Sequence, residues 1–132
     1  NKYFYIPHRS ERRGVGGIFF DNLSSLSLDD SLKMLNSIAS TYLNSYLDIV
    51  SKRKKIKYSS DEKDFQLIRR GRYAEFNLIY DRGTSFGLQS NGRIESILAS
   101  LPTEVKWKYK KNKKYKIMER ALLKNLKRDW NE

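Results

Sequence analysis

Apolar residues recur at three- and four-residue spacing from Leu28 onward. Leu28, Leu32, Leu35, Ile38, Tyr42, Tyr46 and Ile49 make one stripe, which Ala39, Leu43 and Val50 widen. That period is helical and predicts a helix over roughly 28–52. Ser27 precedes it as an N-cap, Asp29 and Asp30 sit in its first turn, and its far end runs into lysines that suit a helix C-terminus. A second pattern covers Tyr73–Tyr80. There Ala74, Phe76, Leu78 and Tyr80 alternate with Tyr73, Glu75, Asn77 and Ile79, which predicts a strand with one apolar and one semi-polar face.

Shorter elements fill the intervals. Tyr3–Ile6 and Ile18–Phe20 are aromatic and β-branched, so both predict strands, the second ended by Asp21-Asn22. Ser59 and Ser60 can cap a short helix from Asp61 to about Arg70, with Gly71 as its stop. Asp81–Thr84 predicts a turn, Phe86–Leu88 a short extended piece, and Asn91-Gly92 a tight turn. Arg93–Ser100 predicts a short helix halted by Pro102, Val105–Tyr109 a strand, and Tyr115–Leu126 a final helix. No repeat and no Pro/Ser-rich linker divides the chain.

Composition narrows the chemistry. The 132 residues hold no Cys and one His, so thiolate nucleophiles, Cys-based zinc and a multi-histidine site built from this chain alone are excluded. No apolar run approaches the ~18 residues of a membrane span. The formal charge is +12, from 27 Lys and Arg against 15 Asp and Glu. The excess lies wholly in two runs, 52–57 and 106–116, and what remains is balanced. The runs are almost all lysine, whereas ten of the eleven arginines lie outside them. Lysine is a hydrated point charge, and arginine is a planar fork that grips carboxylate or phosphate bidentately. The lysine runs therefore read as solvated surface, and the arginines as candidates for specific work. Trp107, Tyr109 and Tyr115, interleaved with lysine, keep a basic nucleic-acid-binding module open as the alternative.

Three constellations stand out. His8–Asp21 sets three arginines, a histidine and Glu11 beside Gly14, Gly16 and Gly17; it suits a carboxylate grip or a polar hairpin with surface charges. Arg69–Thr84 ends its predicted strand on Asp81-Arg82, which suits a functional platform or a salt-bridged turn. Asn91-Gly92-Arg93 suits an anion-holding turn or an ordinary loop.

At these residues the chain resembles the oxygen-dependent coproporphyrinogen III oxidase family. The resemblance rests on Tyr3–Asp21 (YFYIPHRSERRGVGGIFFD), Arg69–Leu88 (RRGRYAEFNLIYDRGTSFGL), Gly92–Pro102 (GRIESILASLP), Trp107-Lys108-Tyr109 and the closing Arg128-Asp129-Trp130. It implies an α+β fold, part of a large antiparallel sheet flanked by helices on both faces, with residues 1–132 as the C-terminal half of one domain. The N-terminal half is then absent, and the chain alone is expected to be inactive. The implied reaction converts the ring A and B propionates of coproporphyrinogen III to vinyls with dioxygen, giving protoporphyrinogen IX in haem synthesis. Dioxygen is the co-substrate, no organic cofactor is implied, and the bacterial branch carries a divalent metal held by several histidines, of which His8 is the one in this chain. The implied enzyme is a cytoplasmic homodimer that binds no nucleic acid. Its dimerisation region corresponds to Tyr73–Lys108, including Tyr73, Glu75, Asn77 and Lys108. Asn91, Gly92 and Arg93 match a substrate-binding segment, with Asn91 where many members have Gly. The substrate's four carboxylates give Arg9 and Arg13 a task as clamps, and make Asp81 and Arg82 the expected catalytic pair: Asp81 accepts pyrrole N–H groups and Arg82 keeps it ionised or grips the reacting propionate.

Overall fold

The computed structural model describes residues 2–18, 20, 22–110 and 113–127. Arg128-Asp129-Trp130 of the resemblance, and Phe19 and Asp21 of the predicted second strand and its end, lie outside the described residues. The chain divides into two units, residues 18–58 and residues 1–17 with 59–132.

The smaller unit carries helix α1, Leu28–Arg53, close to the span that the apolar period predicts. Ser27 Oγ accepts from the Asp30 N–H at 3.1 Å and caps it. Asp29 and Asp30 face the positive end of the helix dipole, and Lys52 and Arg53 the negative end. No residue of α1 is buried within the chain, and most of its apolar stripe is exposed. Residues 18 and 20 have no regular structure, so the strand predicted at Ile18–Phe20 does not form there.

The larger unit begins with a small hairpin. Strand β1, Tyr5–Ile6, pairs antiparallel with β2, Glu11–Arg12, in the register Tyr5 opposite Arg12 and Ile6 opposite Glu11. A 3-10 turn over Pro7–Arg9 joins them and closes on Ser10, which adopts a left-handed φ of 51°. Helix α2, Ser60–Ile79, lies next in sequence and supplies the other half of the core. Ile6 and Phe76 are fully enclosed, with Phe4 buried beside them and Tyr3 and Tyr80 packed around. The Phe4 and Phe76 rings meet edge to face at 5.8 Å. Each enclosed side chain contributes about 1.5–3 kcal/mol. Helices α3 (Arg82–Gln89), α4 (Ile94–Leu98) and α5 (Lys116–Lys127) follow, α5 entered through a 3-10 turn at Lys113–Tyr115.

The fold class expected from the resemblance is therefore corrected. Among the described residues the chain is mostly helical, and its one sheet has two strands. The largest change is α2, which takes the place of both the short helix 61–70 and the strand 73–80. A reciprocal capping box starts it: Ser59 Oγ accepts from the Glu62 N–H, and Glu62 accepts from the Ser59 N–H at 2.7 Å. Its inward face then reads Ile68, Arg72, Glu75 and Phe76, which is helical spacing in which ion-paired residues occupy apolar positions. Counting apolar residues alone misses that face. Gly71 does not stop the helix. A Cβ there would lie 2.4 Å from the Lys106 carbonyl oxygen, so glycine is what lets the 105–110 segment cross α2 closely. That segment is no strand: the Lys106 N–H donates to the Leu67 carbonyl of the helix at 3.0 Å. The turn predicted at Asp81–Thr84 and the extended piece at Phe86–Leu88 are both α3, because Asp81 caps that helix. The helices predicted at 93–100 and 115–126 form over Ile94–Leu98 and Lys116–Lys127.

Candidate functional site

The hairpin and α2 face each other through an ion-paired lattice. Its first centre is Glu75, buried on α2. The Arg9 Nε–H donates to both of its carboxylate oxygens at 2.8 Å. His8 Nε2 bonds the same carboxylate, while His8 Nδ1 lies 2.7 Å from the Tyr80 hydroxyl. With Glu75 ionised, Nε2 carries a proton and donates to it. Burial works against the Glu75 charge, but the bonds from Arg9 and His8 and the charges of Arg9 and Arg72 outweigh it and hold its pKa below the ordinary value.

The second centre is Glu11 on β2. It accepts from Arg72 Nε at 2.6 Å and from Arg69 Nη1 at 3.2 Å. Arg69 and Arg72 are three apart on α2, so both reach the same carboxylate. Burial pulls the Arg69 pKa below its ordinary value; Glu11 opposes that shift and the neighbouring Arg72 adds to it. The guanidinium groups of Arg9 and Arg72 also converge on the Lys108 carbonyl, at 3.3 and 2.8 Å. This fixes the crossing segment on the lattice.

Arg13 is held differently. Its guanidinium stacks on Phe4 at 4.2 Å and on Tyr73 at 4.5 Å, and donates to Asn77 Oδ1 at 3.4 Å. Tyr73 and Asn77 are i, i+4 neighbours on α2, which is why they meet one side chain. Tyr73, Glu75, Asn77 and Lys108, expected at a dimer contact, thus have partners within the chain. Lys108 Nζ donates to Asp64 at 3.0 Å, and Asp64 also binds Lys106 and the Tyr115 hydroxyl. Those three bonds, from Lys106 first, hold the Asp64 carboxyl far below its usual range. Part of the second lysine run is therefore ion-paired within the chain while its side chains stay substantially exposed.

Asp81 and Arg82 stand at the start of α3. Asp81 Oδ2 accepts from both the backbone N–H and the hydroxyl of Thr84 at 2.8 Å, and Oδ1 accepts from the Tyr3 hydroxyl at 2.9 Å. Burial opposes the Asp81 charge, but the Thr84 and Tyr3 bonds prevail and its pKa lies below the ordinary value. The Arg82 guanidinium lies 5.5 Å from the centre of the Tyr3 ring, and its backbone N–H donates to the Tyr3 hydroxyl oxygen at 3.1 Å. Asn91, at φ 53°, Gly92 and Arg93 form the α3–α4 connection. Gly92 packs so closely that a Cβ would lie 2.8 Å from the Gly87 carbonyl oxygen. Arg93 is exposed at the start of α4.

His8 spends both ring nitrogens on Tyr80 and Glu75, and among the described residues no three His, Cys, Asp or Glu side chains converge as a metal would require. These residues as arranged do not fit a metal site. Three residues central to the lattice, Glu11, Arg69 and Arg72, lay inside the highlighted motifs without being singled out. Spacing along 65, 68, 72, 75 and 76 as a helix would have found Arg72.

Comparison with known proteins gives consistent matches. The family model described as coproporphyrinogen III oxidase matches residues 1–131. An oxygen-dependent coproporphyrinogen-III oxidase from Francisella philomiragia subsp. philomiragia is 59% identical over 109 residues, 83% of this chain and 35% of that protein. The enzyme of the same name from Francisella tularensis subsp. novicida is 50% identical over 131 residues, 98% of this chain and 42% of that protein. The matched segment thus spans about two fifths or less of the length of these relatives.

Proposed function

The chain belongs to the coproporphyrinogen III oxidase family, and on that premise we propose that it supplies the arginine-rich part of an enzyme that turns the ring A and B propionates of coproporphyrinogen III into vinyls. Each conversion breaks the bond to the carboxylate and one C–H bond of the ring-side methylene; carbon dioxide leaves, and dioxygen takes the two electrons, with two protons, as hydrogen peroxide. What carries the reading is Asp81, a carboxylate kept ionised by Thr84 and Tyr3 at a helix start, with the Arg82 guanidinium over the ring of that same Tyr3.

In this reading Asp81 accepts pyrrole N–H groups through its remaining lone pairs and stabilises the macrocycle as charge develops, while Arg82 grips the reacting propionate. Asn91, Gly92 and Arg93 shape a second contact, with Arg93 exposed to meet a carboxylate. Arg9 and Arg13 clamp further propionates from the lattice. The protein acts as a cytoplasmic homodimer through the Tyr73–Lys108 region, where Leu78 and Ile79 of α2 present exposed apolar surface. The test is Asp81→Ala in a full-length protein carrying this segment, followed by vinyl product. Turnover drops by about 100-fold or more on this reading; unchanged turnover contradicts it.

A further inference from the structure

A cavity of about 360 Å³ opens between the hairpin, α2, the crossing segment and α5. Arg9, Arg69 and Arg72 line it, with Lys110 at its exposed rim and Phe65 and Ile68 as apolar wall. The lining is positive on balance: among the described residues Arg9, Arg69 and Arg72 are ion-paired with Glu11 and Glu75, Lys108 and Lys110 add positive charge, and Glu119 of α5 is the further carboxylate on the wall. Among the described residues, Arg9 Nη2, Arg69 Nε and Arg72 Nη1 are buried nitrogens without a hydrogen-bond acceptor. Excess positive charge in a largely desolvated site is costly until an anion enters.

We propose that this cavity binds a short aliphatic carboxylate, its head on the Arg9–Arg69–Arg72 face and its chain against Phe65 and Ile68. The planar fork of arginine matches carboxylate, and the apolar wall favours an anion that carries methylenes over a bare oxyanion. The volume is near the lower limit for ligand pockets and too small for a whole tetrapyrrole. The occupant is either one propionate arm of a larger polycarboxylate or a free small carboxylate. The site shares Arg9 with the propionate clamps proposed above and to that extent rests on that reading, while Asp81 and Arg82 lie outside it.

Calorimetric titration of the purified chain with succinate, against sodium chloride at matched ionic strength, tests it. Saturable succinate binding that chloride does not reproduce is expected, weakened about tenfold or more by Arg72→Gln. Lys110→Gln, at the exposed rim, should leave the fold intact and weaken binding about two- to fivefold. Coproporphyrin III, a stable oxidised tetracarboxylate, separates the two sources: displacement of succinate assigns the cavity to a propionate arm, and simultaneous binding assigns it to a free carboxylate. No saturable succinate binding by the folded chain overturns the proposal, as does binding that Arg72→Gln leaves unchanged. If Arg72→Gln does not fold, an unchanged succinate affinity in Lys110→Gln overturns it. A chain that binds no succinate yet supports vinyl formation within a full-length enzyme refutes this site and leaves the proposed reaction standing.

Discussion

Arg9 places one nitrogen, Nε, 2.8 Å from each carboxylate oxygen of Glu75, and both side chains are more than nine-tenths buried. This pair joins the 3-10 turn of the hairpin to the C-terminal part of α2, across 66 residues of sequence. Removing one partner strands the other charge in a poorly solvated place. Glu75→Gln should therefore cost roughly 3–5 kcal/mol, read as a lowered urea midpoint with an unchanged slope. A loss below about 1 kcal/mol would place the pair among weak surface bridges.

Acid should loosen the same lattice. Glu75 and Asp81 both have folded pKa values below their ordinary 4.5 and 3.8. The unfolded chain then binds these protons at higher pH than the folded one. Their stabilisation is complete above the ordinary values and drains as pH falls through them toward the lowered folded values. Urea midpoints measured from pH 6 down to about pH 3 should decline, and the Glu75→Gln chain should decline less steeply. Equal slopes in the two proteins would remove Glu75 from the account.

Gly71→Ala separates helix propensity from crossing geometry. In an open helix, alanine gains about 1 kcal/mol over glycine. Here its methyl would meet the Lys106 carbonyl oxygen at 2.4 Å, and backbone must move. We expect net destabilisation, together with loss of amide-exchange protection at Lys106. Gly14→Ala, where nothing lies within 4 Å, serves as the control. A stabilised Gly71→Ala chain would contradict the crossing.

The sequence made some of this readable and hid the rest for a physical reason. Leu28–Ile49 announces α1 because its stripe is apolar, even though this chain does not bury it. Ser59 and Glu62 signal the start of α2, but its buried face carries Arg72 and Glu75, which an apolar count treats as solvent-facing. The same residues happen to alternate, so Tyr73–Tyr80 imitates a strand. The site is legible as motifs, since His8–Asp21 and Arg69–Thr84 both stand out, though Glu11, Arg69 and Arg72 carry no individual role in them. That they meet each other, through Glu11 and Glu75, depends on contacts roughly sixty residues apart that no local pattern carries.

The central claim is that this segment serves coproporphyrinogen oxidation. The direct measurement replaces the matched segment of a full-length relative with these 132 residues and follows vinyl product from coproporphyrinogen III with and without dioxygen. The account predicts oxygen-dependent product, with carbon dioxide released in step with each vinyl formed, and none from the 132-residue chain alone. A folded chimera that forms no vinyl product, or forms it equally without dioxygen, would contradict it.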